Sequence, residues 1–308
     1  MAGSAEREAA SAAPLGGDTR EGLLLGAGAF ALWGLYPFYF KALAHVSPLE
    51  IVVHRILWSS LLLALIIQAR GGWRAVTTAL FDRRLRLGLV TTTLLIAANW
   101  FVYVLAVTGD QVLDASLGYF LCPLVSVALG VMVLKERLTP GQTVSVALAA
   151  MAVVLLIVML GIVPRIALFL AVSFGLYGLL RKRLPVDPLT ALFLECALLI
   201  PAALVVAVWL AAAGALRTAE GEPWTLFLLF LSGIITVGPL LMFGMGAKRL
   251  RLSTVGLLQY IAPSMLFVEG VVWFGEPLNP WRLVAFVLIW TALVLYTADG
   301  WLRARRGA

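Results

Sequence analysis

Apolar residues recur along this chain in runs of about 20, broken by short polar segments, from residue 22 to residue 299. A helix rises about 1.5 Å per residue, so about 20 residues cross the roughly 30 Å of hydrocarbon in a bilayer. The pattern predicts an all-α membrane protein with ten transmembrane helices, at roughly 22–41, 49–69, 86–106, 112–134, 142–160, 164–181, 188–212, 224–246, 253–274 and 281–299. The breaks carry turn chemistry: Ser47-Pro48, Gly71-Gly72, Thr139-Pro140-Gly141, Val163-Pro164, the Pro185 to Pro188 segment and Asn279-Pro280. They leave little room for a domain outside the membrane. Residues 1–21 are rich in Ala, Gly and Ser and lack the basic start of a signal peptide, which predicts a disordered cytoplasmic tail. Residues 301–308 form a short basic tail.

One stretch occurs twice. Residues 114–140, DASLGYFLCPLVSVALGVMVLKERLTP, return as residues 254–280, TVGLLQYIAPSMLFVEGVVWFGEPLNP. An offset of 140 carries Pro123 onto Pro263, Glu136 onto Glu276, Leu138 onto Leu278 and Pro140 onto Pro280. Fainter echoes extend the unit. Gly34-Leu35-Tyr36 returns as Gly175-Leu176-Tyr177, Lys41 as Lys182 and Pro48 as Pro188. The division expected is two five-helix repeats, residues 22–160 and 161–300. Five is odd, so the second copy must cross the membrane in the opposite sense. Inverted repeats of this kind place a transporter's substrate site near the midplane, between the halves.

Composition agrees. The chain is 62% hydrophobic and 13% charged, with mean hydropathy +1.00, against about 45–50% and about 25% in soluble domains. The formal charge of +7 would suggest nucleic acid in a soluble protein; here the basic residues flank spans and read as topology signals. Of the 23 Lys and Arg, 18 fall in the N-terminal tail and even-numbered loops and four in odd-numbered loops, while Arg55 lies inside a span. That bias predicts both termini in the cytoplasm. The two cysteines, Cys122 and Cys196, sit in apolar runs and read as small buried residues.

Polar residues inside the runs are the functional candidates, because each needs a partner there. Arg55 and Glu195 are related by the offset of 140 and place opposite charges at equivalent depths, as a cavity pair, a substrate anchor or two structural anchors. Glu269, deep in span 9, is a candidate proton-coupling carboxylate. Asn99, Tyr103 and Thr92 share a face of span 3 beside Trp100, as cavity lining or as helix-to-helix bonds. Trp33, Tyr36, Pro37 and Phe40 share a face of span 1, where Pro37 can break the helix. Gln259 and Tyr260 stand at the repeat positions of Tyr119 and Phe120, just before Pro263 and Pro123, which predicts matched kinks and candidate gating hinges. The candidate cavity is therefore Trp33, Tyr36, Arg55, Asn99, Trp100, Tyr103, Tyr119, Tyr177, Glu195, Gln259 and Tyr260, with Pro37, Pro123, Pro263 and Glu269 for gating and coupling. Gly118, Cys122, Ser126 and Gly130 form a ladder of small residues that favours close helix approach. Glu136 and Glu276, at the ends of spans 4 and 9, read as solvated salt links.

No nucleotide loop, metal-ligand spacing or nucleophile elbow occurs, so no cofactor is expected. The segments WGLYPFYFKAL (33–43), EIVVHRILWS (50–59), NWFVYVLAV (99–107), ASLGYFLCPLVSVALG with KERL (115–138), SFGLYGLLRK (173–182) and GLLQYIAP (256–263) together resemble the RarD-type members of the EamA group of drug/metabolite transporters. The resemblance implies an EamA-like, ten-helix protein of the bacterial plasma membrane that exports small molecules, linked by the RarD name to chloramphenicol sensitivity, with a proton or other gradient as driving force. The partners expected are a small-molecule substrate and the lipid bilayer, and no nucleic acid. A membrane-embedded enzyme, a lipid-handling protein or an accessory subunit is the alternative.

Overall fold

The computed structural model describes residues 17–108, 112–161, 165–273 and 280–306, and every regular element among them is helical. The first repeat comprises α1 (Gly17–Gly34), α2 (Tyr36–Ala42), α3 (Pro48–Ala69), α4 (Trp73–Phe81), α5 (Arg83–Thr108), α6 (Val112–Val133) and α7 (Pro140–Leu160). The second comprises α8 (Arg165–Arg183), α9 (Pro188–Ala212), α10 (Pro223–Arg249), α11 (Leu252–Leu258), α12 (Ile261–Val272) and α13 (Pro280–Arg306). Eight segments are long and apolar enough to cross a membrane by themselves, and Gly118–Val133 is a shorter apolar one. The remaining span is α8, 19 residues closed by Arg181, Lys182 and Arg183.

Pro48, Pro140, Pro188, Pro223 and Pro280 all sit at the first position of a helix, where the missing N–H would have had no partner anyway. Thr139 and Gln142 form a capping box on α7, Asp187 caps α9 and Glu222 caps α10. Helix starts are thus written into the short loops.

The halves hold each other rather than themselves. α3 packs on its counterpart α9, α7 on α13, and α6 on α11 and α12. The other main contacts come in mates: α1 on α10 with α5 on α8, α3 on α10 with α5 on α9, and α6 on α8 with α1 on α12. This is the arrangement a twofold relation between the repeats requires. Its sense is inverted. Arg249, at the end of α10, pairs with Glu21 at the start of α1 across 3.2 Å, so α1 begins where α10 ends. Lys182 also lies at that end, donating to the carbonyls of Ala247 (3.2 Å) and Leu250. Its repeat mate Lys41, in the last turn of α2, lies at the other end.

Small residues set the closest approaches. A Cβ on Gly256 of α11 would meet the Pro123 carbonyl oxygen of α6 at 2.8 Å and Ser126 Cβ at 3.0 Å. One on Gly130 would meet Glu136 Oε2 at 2.8 Å and the Ser253 nitrogen at 3.1 Å. The ladder on α6 is therefore a contact seam.

Two features depart from the expectation. α4 is a nine-residue helix in a segment read as a loop; it buries Val76 and Ala79 against α5 and α9. The proline kinks are not matched either. α6 continues through Pro123, whereas span 9 breaks between α11 and α12, at Gln259 and Tyr260. Pro263 cannot donate to the Gln259 carbonyl, and side chains at the break bond to α6 instead: Gln259 Nε2 donates to Ser126 Oγ (3.0 Å) and Tyr260 OH to the Phe120 carbonyl (3.3 Å). Span 1 also breaks, at Leu35, one residue before the helix turn that holds Pro37.

Gly256→Leu should force α6 and α11 apart and cost about 1–3 kcal/mol, the usual range for overpacking. The thermal midpoint of the purified protein should fall; an unchanged midpoint would show that the seam is slack.

Candidate functional site: a charged seam between the repeats

Glu195 is a buried charged group of the seam, 2% exposed. It lies in α9, and three neighbours serve its carboxylate. Thr92 Oγ1 of α5 donates to Oε1 at 2.7 Å, Tyr177 OH of α8 donates to Oε2 at 3.0 Å, and Arg181 Nη1 of α8 lies 3.6 Å from Oε1. Arg181 is itself buried. It also donates to the Pro188 carbonyl at 3.2 Å and lies 6.0 Å from the Tyr177 ring centroid. The set spans α5, α8 and α9, from both repeats.

The expected pairing of Arg55 with Glu195 is not what the described contacts show. Arg55 Nε donates to Thr236 Oγ1 at 2.9 Å, and the guanidinium lies over Trp100, 4.9 Å from the ring centroid. Thr236 is the middle residue of α10, which places Arg55 near mid-span. The physical reason for the different pairing is distance along α8. Arg181 sits one turn from Tyr177, so both reach the same carboxylate.

Between the two groups lies a void of about 10 Å3, lined by Ile96, Trp100, Tyr177, Glu195, Leu199 and Leu240 among others. A water needs about 10–15 Å3, so no solute fits there in this conformation. Tyr119, near the start of α6, is 41% exposed, and its ring packs on Tyr103 of α5 at 6.4 Å.

The other candidates divide. Tyr36 donates to the Ile235 carbonyl at 2.7 Å, within electrostatic reach of Arg55. Trp33 is half-buried in a ring cluster with Phe30, Phe174 and Phe243, with centroids 5.2 to 6.0 Å from its own. Asn99 donates to the Leu170 carbonyl (2.9 Å) and Ser173 Oγ (2.8 Å), so it fastens α5 to α8. Gln259 and Tyr260 are buried in the seam between α6 and span 9, away from the Arg55 group. Pro123 and Pro263 are buried in that seam, and Pro37 stands by the break in span 1. Glu269 is 5% exposed and its Oε2 has no hydrogen-bond partner.

One end of the bundle is fastened by basic side chains. Besides Lys182, Lys248 donates to the Val186 carbonyl, Arg183 to the Val133 carbonyl (3.1 Å) and Arg251 to the Arg137 carbonyl. Cations suit helix C-termini, where carbonyls lack partners. Glu136 does the converse, accepting from Leu252 N (2.6 Å) and Ser253 N (2.9 Å) at the start of α11. It caps that helix and also lies 3.9 Å from Arg251 Nε, a salt link at the helix end; its repeat mate Glu276 lies outside the described residues. At the opposite end Glu50, fully buried, accepts from Arg217 N (2.9 Å) and Thr218 N (2.8 Å).

A profile of the EamA-like transporter family matches twice, over residues 20–158 and 164–298. The chain belongs to the EamA-like transporter family. An uncharacterized transporter of Vibrio cholerae serotype O1 is 43% identical over 92% of this chain and 94% of its own. Protein RarD of Streptomyces exfoliatus is 42% identical over 94% and 92%, and protein RarD of Escherichia coli K12 is 36% identical over 94% and 98%. These relatives make the chain a RarD-type member, with a function of the membrane-transporter type. A solved crystal structure aligns over 92% of this chain and 99% of its own with a TM-score of 0.69, and at 19% identity it shares the fold.

Arg181 and Thr236 were not singled out from sequence. Arg181 is masked there by the Arg-Lys-Arg run at the end of span 6, which reads as a topology signal. Its seven-residue lead over Pro188 was the available clue. Removing one partner of a buried ion pair costs about 3–5 kcal/mol. Arg181→Met should therefore destabilise the protein strongly, and adding Glu195→Gln should restore more than half of the loss, measured as thermal survival in detergent.

Proposed function

We propose that this protein is a secondary active transporter that exports small molecules across a bacterial plasma membrane by alternating access. The observation that carries the reading is the crosswise packing of two inverted halves around a seam that holds Arg55 and Glu195 at repeat-related positions. A carrier needs two states of similar energy. Inverted halves supply them, because each half is free to adopt the conformation of the other. The difference between α6, continuous at Pro123, and span 9, broken before Pro263, supports this reading.

Solute would bind beside Arg55 and Trp100, with Tyr36, Tyr103 and Tyr119 as further candidate lining. The basic end faces the cytoplasm, following the bias of Lys and Arg toward that side of a membrane. The cross-links there among α1, α6, α8, α10 and α11 hold the inner path closed. Glu269 is the proton carrier in this scheme: its carboxyl is buried in span 9 and its Oε2 has no hydrogen-bond partner.

Purified protein in liposomes, screened against metabolites and drugs with and without an imposed pH gradient, tests the reading. Gradient-driven flux of at least one solute is expected; no flux of any solute would overturn it. Glu269→Gln should leave counterflow intact and remove the dependence on the gradient. An unchanged gradient dependence would eliminate Glu269 as the carrier. Single cysteines at Arg84 and at Glu220, both exposed, should label from the inside and the outside of intact cells respectively.

A further inference from the structure

The two repeats carry related nests that differ in how the charge is answered. The offset of 140 relates Arg55 to Glu195 and Thr92 to Ser232, and an offset of 141 relates Tyr36 to Tyr177. The two charges and the two tyrosines are thus repeat-related, whereas Thr236, the hydroxyl that Arg55 holds, stands at the repeat position of Ile96. In the second nest the charge is answered inside the protein: Glu195 has Arg181, Tyr177 and Thr92. In the first it is not. Among the described residues Arg55 has a hydroxyl and an indole face and no carboxylate at ion-pair distance.

The carboxylates nearby are committed elsewhere. Glu195 is taken by Arg181. Glu50, five positions before Arg55 on α3, accepts from Arg217 N, Thr218 N and the Thr218 hydroxyl. Tyr36 and Tyr39 give their hydroxyl protons to the carbonyls of Ile235 and Leu228. Only Nε of the Arg55 guanidinium donates to a described acceptor, which leaves the outer nitrogens for something else. A half-buried cation near mid-span, with no carboxylate at ion-pair distance among the described residues, is a costly arrangement that a ligand can complete.

We propose that Arg55 is the anchor for the oxyanion head of the transported solute, and that the substrate class is amphipathic organic anions, typified by aromatic carboxylates. The inference rests on the transporter reading for the word transported, and on the Arg55 surroundings for the charge. A guanidinium presents paired N–H donors that match a carboxylate, and it favours that ligand over a neutral or cationic one. The walls select an apolar body. Trp100 lies under the guanidinium, and Tyr36, Tyr103 and Tyr119 offer aromatic surface on α2, α5 and α6. Thr236, by holding Nε, keeps the guanidinium from turning away.

The test is ligand binding by the purified full chain, read as a dose-dependent rise of the thermal midpoint. The probes are indole-3-acetate and benzoate, each against its uncharged amide, with tryptamine as the cation. The carboxylates should stabilise the protein and the amides and tryptamine should not. Arg55→Lys, which keeps the charge and loses the paired donors, should raise the apparent Kd for the carboxylates by about tenfold or more. Arg55→Met should abolish the effect. Equal shifts with carboxylate and amide, no shift with either carboxylate, or an undiminished shift in Arg55→Met would each overturn the proposal. The wild-type comparison decides even if Arg55→Met fails to fold. Selective carboxylate binding without flux in liposomes would uphold the site and sink the transporter reading, whereas flux without carboxylate selectivity would do the reverse.

Discussion

Inside a bilayer no water is at hand to satisfy a polar group, so each backbone donor, carbonyl and charge must find its partner within the protein. That constraint explains most of this structure. Helix starts are capped by their own loops, through Thr139, Asp187 and Glu222. Helix ends on the basic side are closed by cations reaching across from neighbouring helices, as Lys182, Lys248 and Arg183 do. The same residues that bias insertion also tie the helices together after insertion. Their position in sequence and their hydrogen bonds are two results of one placement.

The packing follows from the same scarcity of driving force. Between apolar helices in lipid there is no hydrophobic gain to collect, so close contact depends on small residues and a few hydrogen bonds. Gly256 against Pro123, Gly130 against the Ser253 nitrogen and Asn99 on the α8 backbone are such contacts. They lie between the repeats rather than within them. The interface is thus the structural core, and it is also where the polar residues gather.

Fold and inversion were legible because they rest on long-range regularities: run length, an offset of 140 and a lopsided distribution of Lys and Arg. The membership of Arg55, Trp100, Tyr36 and Glu195 in the seam was legible because charge and aromatic residues stand out in apolar runs. Partners were not. Glu195 takes Arg181, hidden in a basic run that already had an explanation. Asn99 shares a helix face with Tyr103 but turns to α8, since rotation of a helix about its axis is set by neighbours that one segment does not reveal. Gln259, placed with the cavity by its repeat mate Tyr119, is buried while Tyr119 is open. Repeat arithmetic finds equivalent positions, but it does not say which half is bent.

Arg55 and Glu195 occupy one and the same site of the ancestral unit. A homodimer of identical units would set either two guanidinium groups or two carboxylates across the axis, and like charges there repel. Fusion into a single polypeptide removed that restriction and let one position become acidic in one copy and basic in the other. It also removed the freedom of an identical pair to insert either way up. With opposite charges at the two positions, the halves are no longer interchangeable.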